Sequence, residues 1–133
     1  MDTKIAREIL FRGKRIDNGE WVEGYFVNLW LIHYQKHQPI ITDNNAVSYD
    51  IDPTTVGQYT GLTDKNGKKI FEGDIMAFTA YGFDYVGTVK FDYGNASVMC
   101  EHASPFLDQA VSKHGAYIIG NMHDNPELLK GAE

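Results

Sequence analysis

His33 and His37 stand four residues apart, a spacing that on a helix would turn two imidazoles toward one metal ion. Here the pair leaves an apolar run and enters a polar stretch containing Pro39, where no helix is signalled. A catalytic zinc takes three protein ligands, and Asp43 or His123 would have to approach from elsewhere in the chain. Unrelated surface histidines are the better reading. Cys100 and His102 fall two apart on a segment that alternates like a strand, so they share a face and would pair a thiol with a base. Same-face neighbours on a strand lie roughly 6.5–7 Å apart, too far for the hydrogen bond that activates a nucleophile. A half-buried thiol is expected. The acid pairs Asp50/Asp52 and Asp84/Asp92 are what 18 acids supply by chance, and nothing in the sequence marks either pair as an acid–base site. There is no Gly-x-Ser-x-Gly elbow, phosphate-cradling loop or zinc-finger spacing. No catalytic residue, metal or cofactor is therefore expected, although an enzyme built from scattered residues leaves no such mark.

Two other groups carry contact chemistry. Tyr81, Phe83 and Tyr85 alternate with Gly82 and Asp84 at the join of two expected strands, where turns usually hold small polar residues. Either the rings fold over an open barrel end, as aromatics commonly fill cores, or they project as rigid anchors for a protein partner or stacked bases. The stretch Leu29 to Tyr34 is apolar on both faces. It reads as a fully buried strand or as one covered by a second copy, which would make Trp30, Leu31 and Ile32 oligomer contacts.

The elements that must position these groups are mostly strands. Asp17-Asn18-Gly19-Glu20 separates Ile9–Ile16 from Trp21–Val27, and an Asn-Gly between alternating runs is a strong hairpin signal. Gln35 to Asn45 reads as a loop around a short extended piece at Ile40-Ile41. Ala46 to Ile51 alternates weakly and breaks at Asp52-Pro53. Val56–Tyr59 is a further short strand, followed by a second Asn-Gly turn at Asp64 to Gly67 and by Ile70-Phe71. Asp74–Ala80, Val86–Tyr93, Ala96–His102 and Tyr117–Gly120 complete the strands. Helix is confined to a piece capped by Ser104-Pro105 and running through Val111, and to a last turn at Pro126–Lys130. The expected fold is mainly β, a small SH3-like barrel or sandwich of short antiparallel strands with one or two short helical segments.

Composition sets the outer bounds. A chain of 133 residues suggests one domain, residues 1–133. The single cysteine excludes an internal disulfide framework and fits a reducing cytoplasm. Met1 to Arg12 mixes charges and lacks an apolar export segment, and Leu29-Trp30-Leu31-Ile32 is far short of a membrane span. Net charge is −6 and the bases are scattered, so general nucleic-acid binding is disfavoured. The clusters Arg12 to Arg15 and Lys65 to Lys69 read as solvated turns, of the kind common beside hairpins.

Three segments together resemble the YopX family of small phage and prophage proteins. The first is Arg7-Glu8-Ile9-Leu10-Phe11-Arg12-Gly13. The second runs from Val56-Gly57-Gln58-Tyr59-Thr60-Gly61-Leu62 through Asp64-Lys65-Asn66-Gly67 to Phe71-Glu72-Gly73-Asp74-Ile75. The third is Ile118-Ile119-Gly120-Asn121 with Asn125-Pro126-Glu127-Leu128-Leu129. The resemblance implies a mostly β fold, a phage or prophage origin and a bacterial cytoplasmic setting. It implies no reaction and no catalytic residues. Gly73-Asp74 ahead of an alternating strand, with Gly87-Thr88-Val89 on the next, also resembles entry to an SH3-like barrel. The function expected is that of an accessory protein, a non-enzymatic protein-binding or oligomeric module. A single-stranded nucleic-acid binder using aromatic stacking and an enzyme without a recognisable motif are the alternatives.

Overall fold

The computed structural model describes residues 8–130. They are mainly strand, with two short helices. The chain divides into two compact units that meet in sequence between Tyr59 and Thr60.

The first unit holds β1 (Phe11–Arg15), β2 (Trp21–Leu31), a 3-10 turn (Ile32–Tyr34), β3 (Lys36–Thr42) and most of β4 (Ser48–Thr63). All pairings are antiparallel, in the order β1-β2-β3-β4, and β4 pairs back onto β1. The four strands thus close into a small barrel. Its inside holds Ile41 and Ile51, both fully buried, with the Phe11 and Phe26 rings 5.8 Å apart. Closure this tight needs bare backbone at the crossing. A Cβ on Gly24 would fall on the Thr42 carbonyl oxygen, so only glycine fits. Arg12 to Arg15, expected as a solvated turn, instead lie on strand β1, with Arg12 and Lys14 over the Trp21 ring at 4.8 and 5.5 Å. Arg15 pairs with Asp17 at 2.6 Å.

Two expectations for this unit need correction. Lys36 to Thr42 is a full strand, although Pro39 argued for a loop. It pairs with β2 along its length but with β4 only at Ile40, Ile41 and Thr42. Pro39 therefore sits where one edge has no strand beside it among the described residues, a position at which a missing N–H is tolerated. The expected break at Asp52-Pro53 is instead an irregularity inside continuous β4. The register on β1 jumps from Gly57 to Asp52 while β1 advances from Arg12 to Lys14. Thr55 bridges the jump, its hydroxyl donating to the Asp52 carbonyl at 2.6 Å and accepting the Lys14 N–H at 2.8 Å.

In the second unit the end of β4 adjoins β5 (Lys69–Phe71), tied by the Thr60 hydroxyl to the Ile70 carbonyl at 2.8 Å. The remaining strands are β6 (Asp74–Ala80), β7 (Phe83–Asp92), β8 (Asn95–Met99) and β9 (Tyr117–Asn121). They form an antiparallel sheet in the order β8-β7-β6-β9. So the barrel closes in β1–β4, while the strand opened by Gly73-Asp74 enters this second sheet. One face of the sheet packs Met76, Phe78, Ala80, Val89 and Val98 against Leu107 and Ala110 of α1 (Leu107–His114). The helix begins later than the Ser104-Pro105 signal suggests. Phe106 is its N-cap, with no side-chain cap bond, and Gly115 ends it in left-handed geometry. The last turn, α2, is Glu127–Lys130.

The central signature segment works as a structural staple. Asp64 is buried and its carboxylate accepts the N–H groups of Asn66, Lys68 and Ile118. Burial alone would raise its pKa, but those donors, Ile118 foremost, hold it below the usual carboxylate value.

Candidate functional site

The residues that promised chemistry do not assemble. His33 lies in the 3-10 turn, while His37 is on β3, edge-on to Trp30 with ring centroids 4.9 Å apart. Asp43 is occupied by the amides of Asn45 and Val47 and the Tyr49 hydroxyl. Among the described residues, no three His, Cys, Asp or Glu side chains are grouped to hold a metal ion. Cys100 and His102 do not share a strand face, because β8 ends at Met99 and the chain turns there. The Cys100 N–H donates to the Ala103 carbonyl at 2.8 Å. Burial pushes the Cys100 thiol pKa up, and its Sγ lies 3.7 Å from the Val98 carbonyl. His102 instead faces Glu101 at 3.6 Å. A thiol kept protonated is a poor nucleophile. Of the acid pairs, Asp52 caps Thr54 and Asp84 accepts from the Thr79 hydroxyl at 2.7 Å.

What the fold does present is contact surface. In the first unit the β2–β3 hairpin outruns the barrel. β1 covers β2 only from Trp21 to Gly24, and β4 covers β3 only from Ile40 onward. Asn28 to Leu31, paired with Pro39 to Lys36, therefore form a two-stranded arm with no third strand among the described residues. Such a ribbon is marginal alone in water. Its apolar side chains are exposed: Trp30 at 50%, Ile32 at 75% and Tyr34 at 74%. Leu31 is half-buried. The buried-strand reading of Leu29 to Tyr34 is thus corrected, because β2 runs off the end of its neighbours. Tyr25, Val27 and Leu29 continue an apolar stripe along one face, all exposed. Residues 25–39 contain no Asp or Glu in a chain that has 18.

In the second unit Tyr81 and Gly82 form the β6–β7 turn, both at positive φ (55° and 83°). That geometry matches the twist of a two-residue hairpin, although a tyrosine adopts it less readily than Asn or Gly. The three aromatics of this tip separate. Tyr81 and Phe83 project, at 84% and 66% exposure. Tyr85 turns inward and stacks on Phe78 at 5.1 Å. Tyr81 meets the edge of the His114 ring, with centroids 5.7 Å apart. A cleft of about 320 Å³ lies beside the tip, between Phe83–Val86 and Cys100–His102. The alternation of aromatics marked the tip from sequence. The cleft left no such mark, because it forms where β8 leaves the sheet.

A family model described as YopX protein matches residues 10–130. Among solved structures, protein EF1440 from Enterococcus faecalis is similar, with a TM-score of 0.61 and 25% sequence identity over 93% of this chain and 99% of that one. No curated protein matches this chain.

Proposed function

The chain belongs to the YopX protein family, and from that premise we propose that it is a phage or prophage accessory protein of the bacterial cytoplasm. It is a non-enzymatic module that self-associates through the β2–β3 arm. The observation that carries this reading is the arm itself, a two-stranded ribbon with exposed apolar side chains and open edges. Open, flat, apolar edges are ordinarily blunted by charge or cover. This one has Lys36 and no acid across residues 25–39, so two copies meet without bringing carboxylates together on a chain of net charge −6. Antiparallel pairing of identical strands is its own two-fold operation, which suits a closed dimer. Amide exchange tests it. Exchange at Asn28 to Gln38 should slow as protein concentration rises, whereas concentration-independent rates would contradict self-association.

A second reading rests on the same side chains. Trp30 and Tyr34 offer faces for stacked bases, with Lys36 Nζ 5.9 Å from the Tyr34 ring. Titration with a labelled single-stranded oligonucleotide at low salt separates the two readings, since only this one predicts binding that weakens steeply with salt.

A further inference from the structure

Strand β7 is longer than its outer partner. β8 pairs with it only from Thr88↔Met99 to Asp92↔Asn95, while β7 begins at Phe83. Phe83 to Val86 are held by β6 on one side and border the cleft of about 320 Å³ on the other. The cleft occupies the place a longer β8 would fill. We propose that it receives an extended segment of a partner protein, laid along β7 as an added strand, with a lysine or arginine side chain held at Asp84 and Glu101. Strand addition to an open sheet edge is a recurrent mode of peptide recognition, in which backbone bonds give affinity and side-chain pockets give specificity. Charge decides the specificity here. The lining holds two carboxylates, and His102 is its sole other titratable group besides Tyr85 and the Cys100 thiol. No Lys or Arg offsets the two acids. The Thr79 hydroxyl at 2.7 Å orients Asp84. Phe83 adds an exposed aromatic face of the kind that attracts a cation. The volume, near the lower end of the usual ~300–1,000 Å³ for ligand sites, suits one or two side chains rather than a cofactor.

The test is amide NMR titration of the full chain with two synthetic peptides, acetyl-Val-Lys-Val-Arg-Val-amide and acetyl-Val-Glu-Val-Glu-Val-amide. The basic peptide should move the signals of Phe83 to Val86 and Cys100 to His102, and the acidic one should not. The double variant Asp84→Asn, Glu101→Gln should keep its spectrum outside the cleft and bind the basic peptide at least about fivefold more weakly, roughly 1 kcal/mol. Equal response to both peptides, shifts scattered over the acidic surface, unchanged affinity in the double variant, or no shift at millimolar peptide would each overturn the proposal. None of these outcomes depends on the β2–β3 arm.

Discussion

Asp64 accepts the backbone N–H of Ile118 at 3.0 Å, a bond that ties the second Asn-Gly turn to β9 across 54 positions of the chain. The Lys65 ammonium lies 4.4 Å from the centre of the Tyr117 ring and holds the same turn to the same strand. Because the folded pKa of Asp64 is lowered, its contribution is complete above the unfolded value of about 3.9 and is lost as pH falls through the folded value. Asp64→Ala should cost about 2 kcal/mol at neutral pH, since it takes the charged acceptor away from three part-buried N–H donors. Denaturant melts between neutral pH and strong acid should show the gap between wild type and variant narrowing as the medium becomes acidic. A gap independent of pH would contradict the staple.

The two projecting rings of the hairpin tip should be thermodynamically silent. Tyr81→Ser with Phe83→Ser should change stability by less than about 1 kcal/mol, as surface substitutions do. Phe78→Ala, which removes the buried ring beneath Tyr85, should cost about 3–5 kcal/mol. Urea midpoints of the two variants measure the difference directly.

Gly24 tests closure of the barrel. Gly24→Ala puts a methyl group onto the Thr42 carbonyl, and overpacking of this kind costs about 1–3 kcal/mol. Asn28→Ala, a few residues along the same strand and exposed, should stay within about 0.5 kcal/mol of wild type. Thermal melts of the pair would refute tight closure if both variants behaved alike.

The elements that the sequence reveals well are those fixed by local chemistry. Both Asn-Gly turns, the strands on either side of them and the near absence of helix follow from backbone preferences that neighbours cannot override. Where local rules fail, a tertiary partner is the reason. Pro39 speaks against a strand, but β3 pairs with β4 only from Ile40 onward, and Pro53 speaks for a break that Thr55 bridges. Ser104-Pro105 looked like a helix start, yet the Val98 N–H donates to the Pro105 carbonyl at 3.0 Å and holds that residue against β8. For the candidate sites, aromatic spacing located the hairpin tip and apolarity located the arm. Neither could say which face would be covered, because burial depends on strands far away in sequence. The cleft at Asp84 and Glu101 joins residues from two strand ends whose divergence no local pattern encodes.

The central claim, self-association through the β2–β3 arm, is tested most directly by sedimentation velocity of wild type and Trp30→Glu over a range of concentrations. Trp30 is half exposed and packs on His37, so the variant should stay folded, within about 1 kcal/mol of wild type. Wild type should sediment as a dimer that dissociates on dilution, and Trp30→Glu as a monomer at every concentration with the same circular dichroism spectrum. A wild type that remains monomeric at the highest concentration, or a folded variant that dimerises as wild type does, would contradict the account.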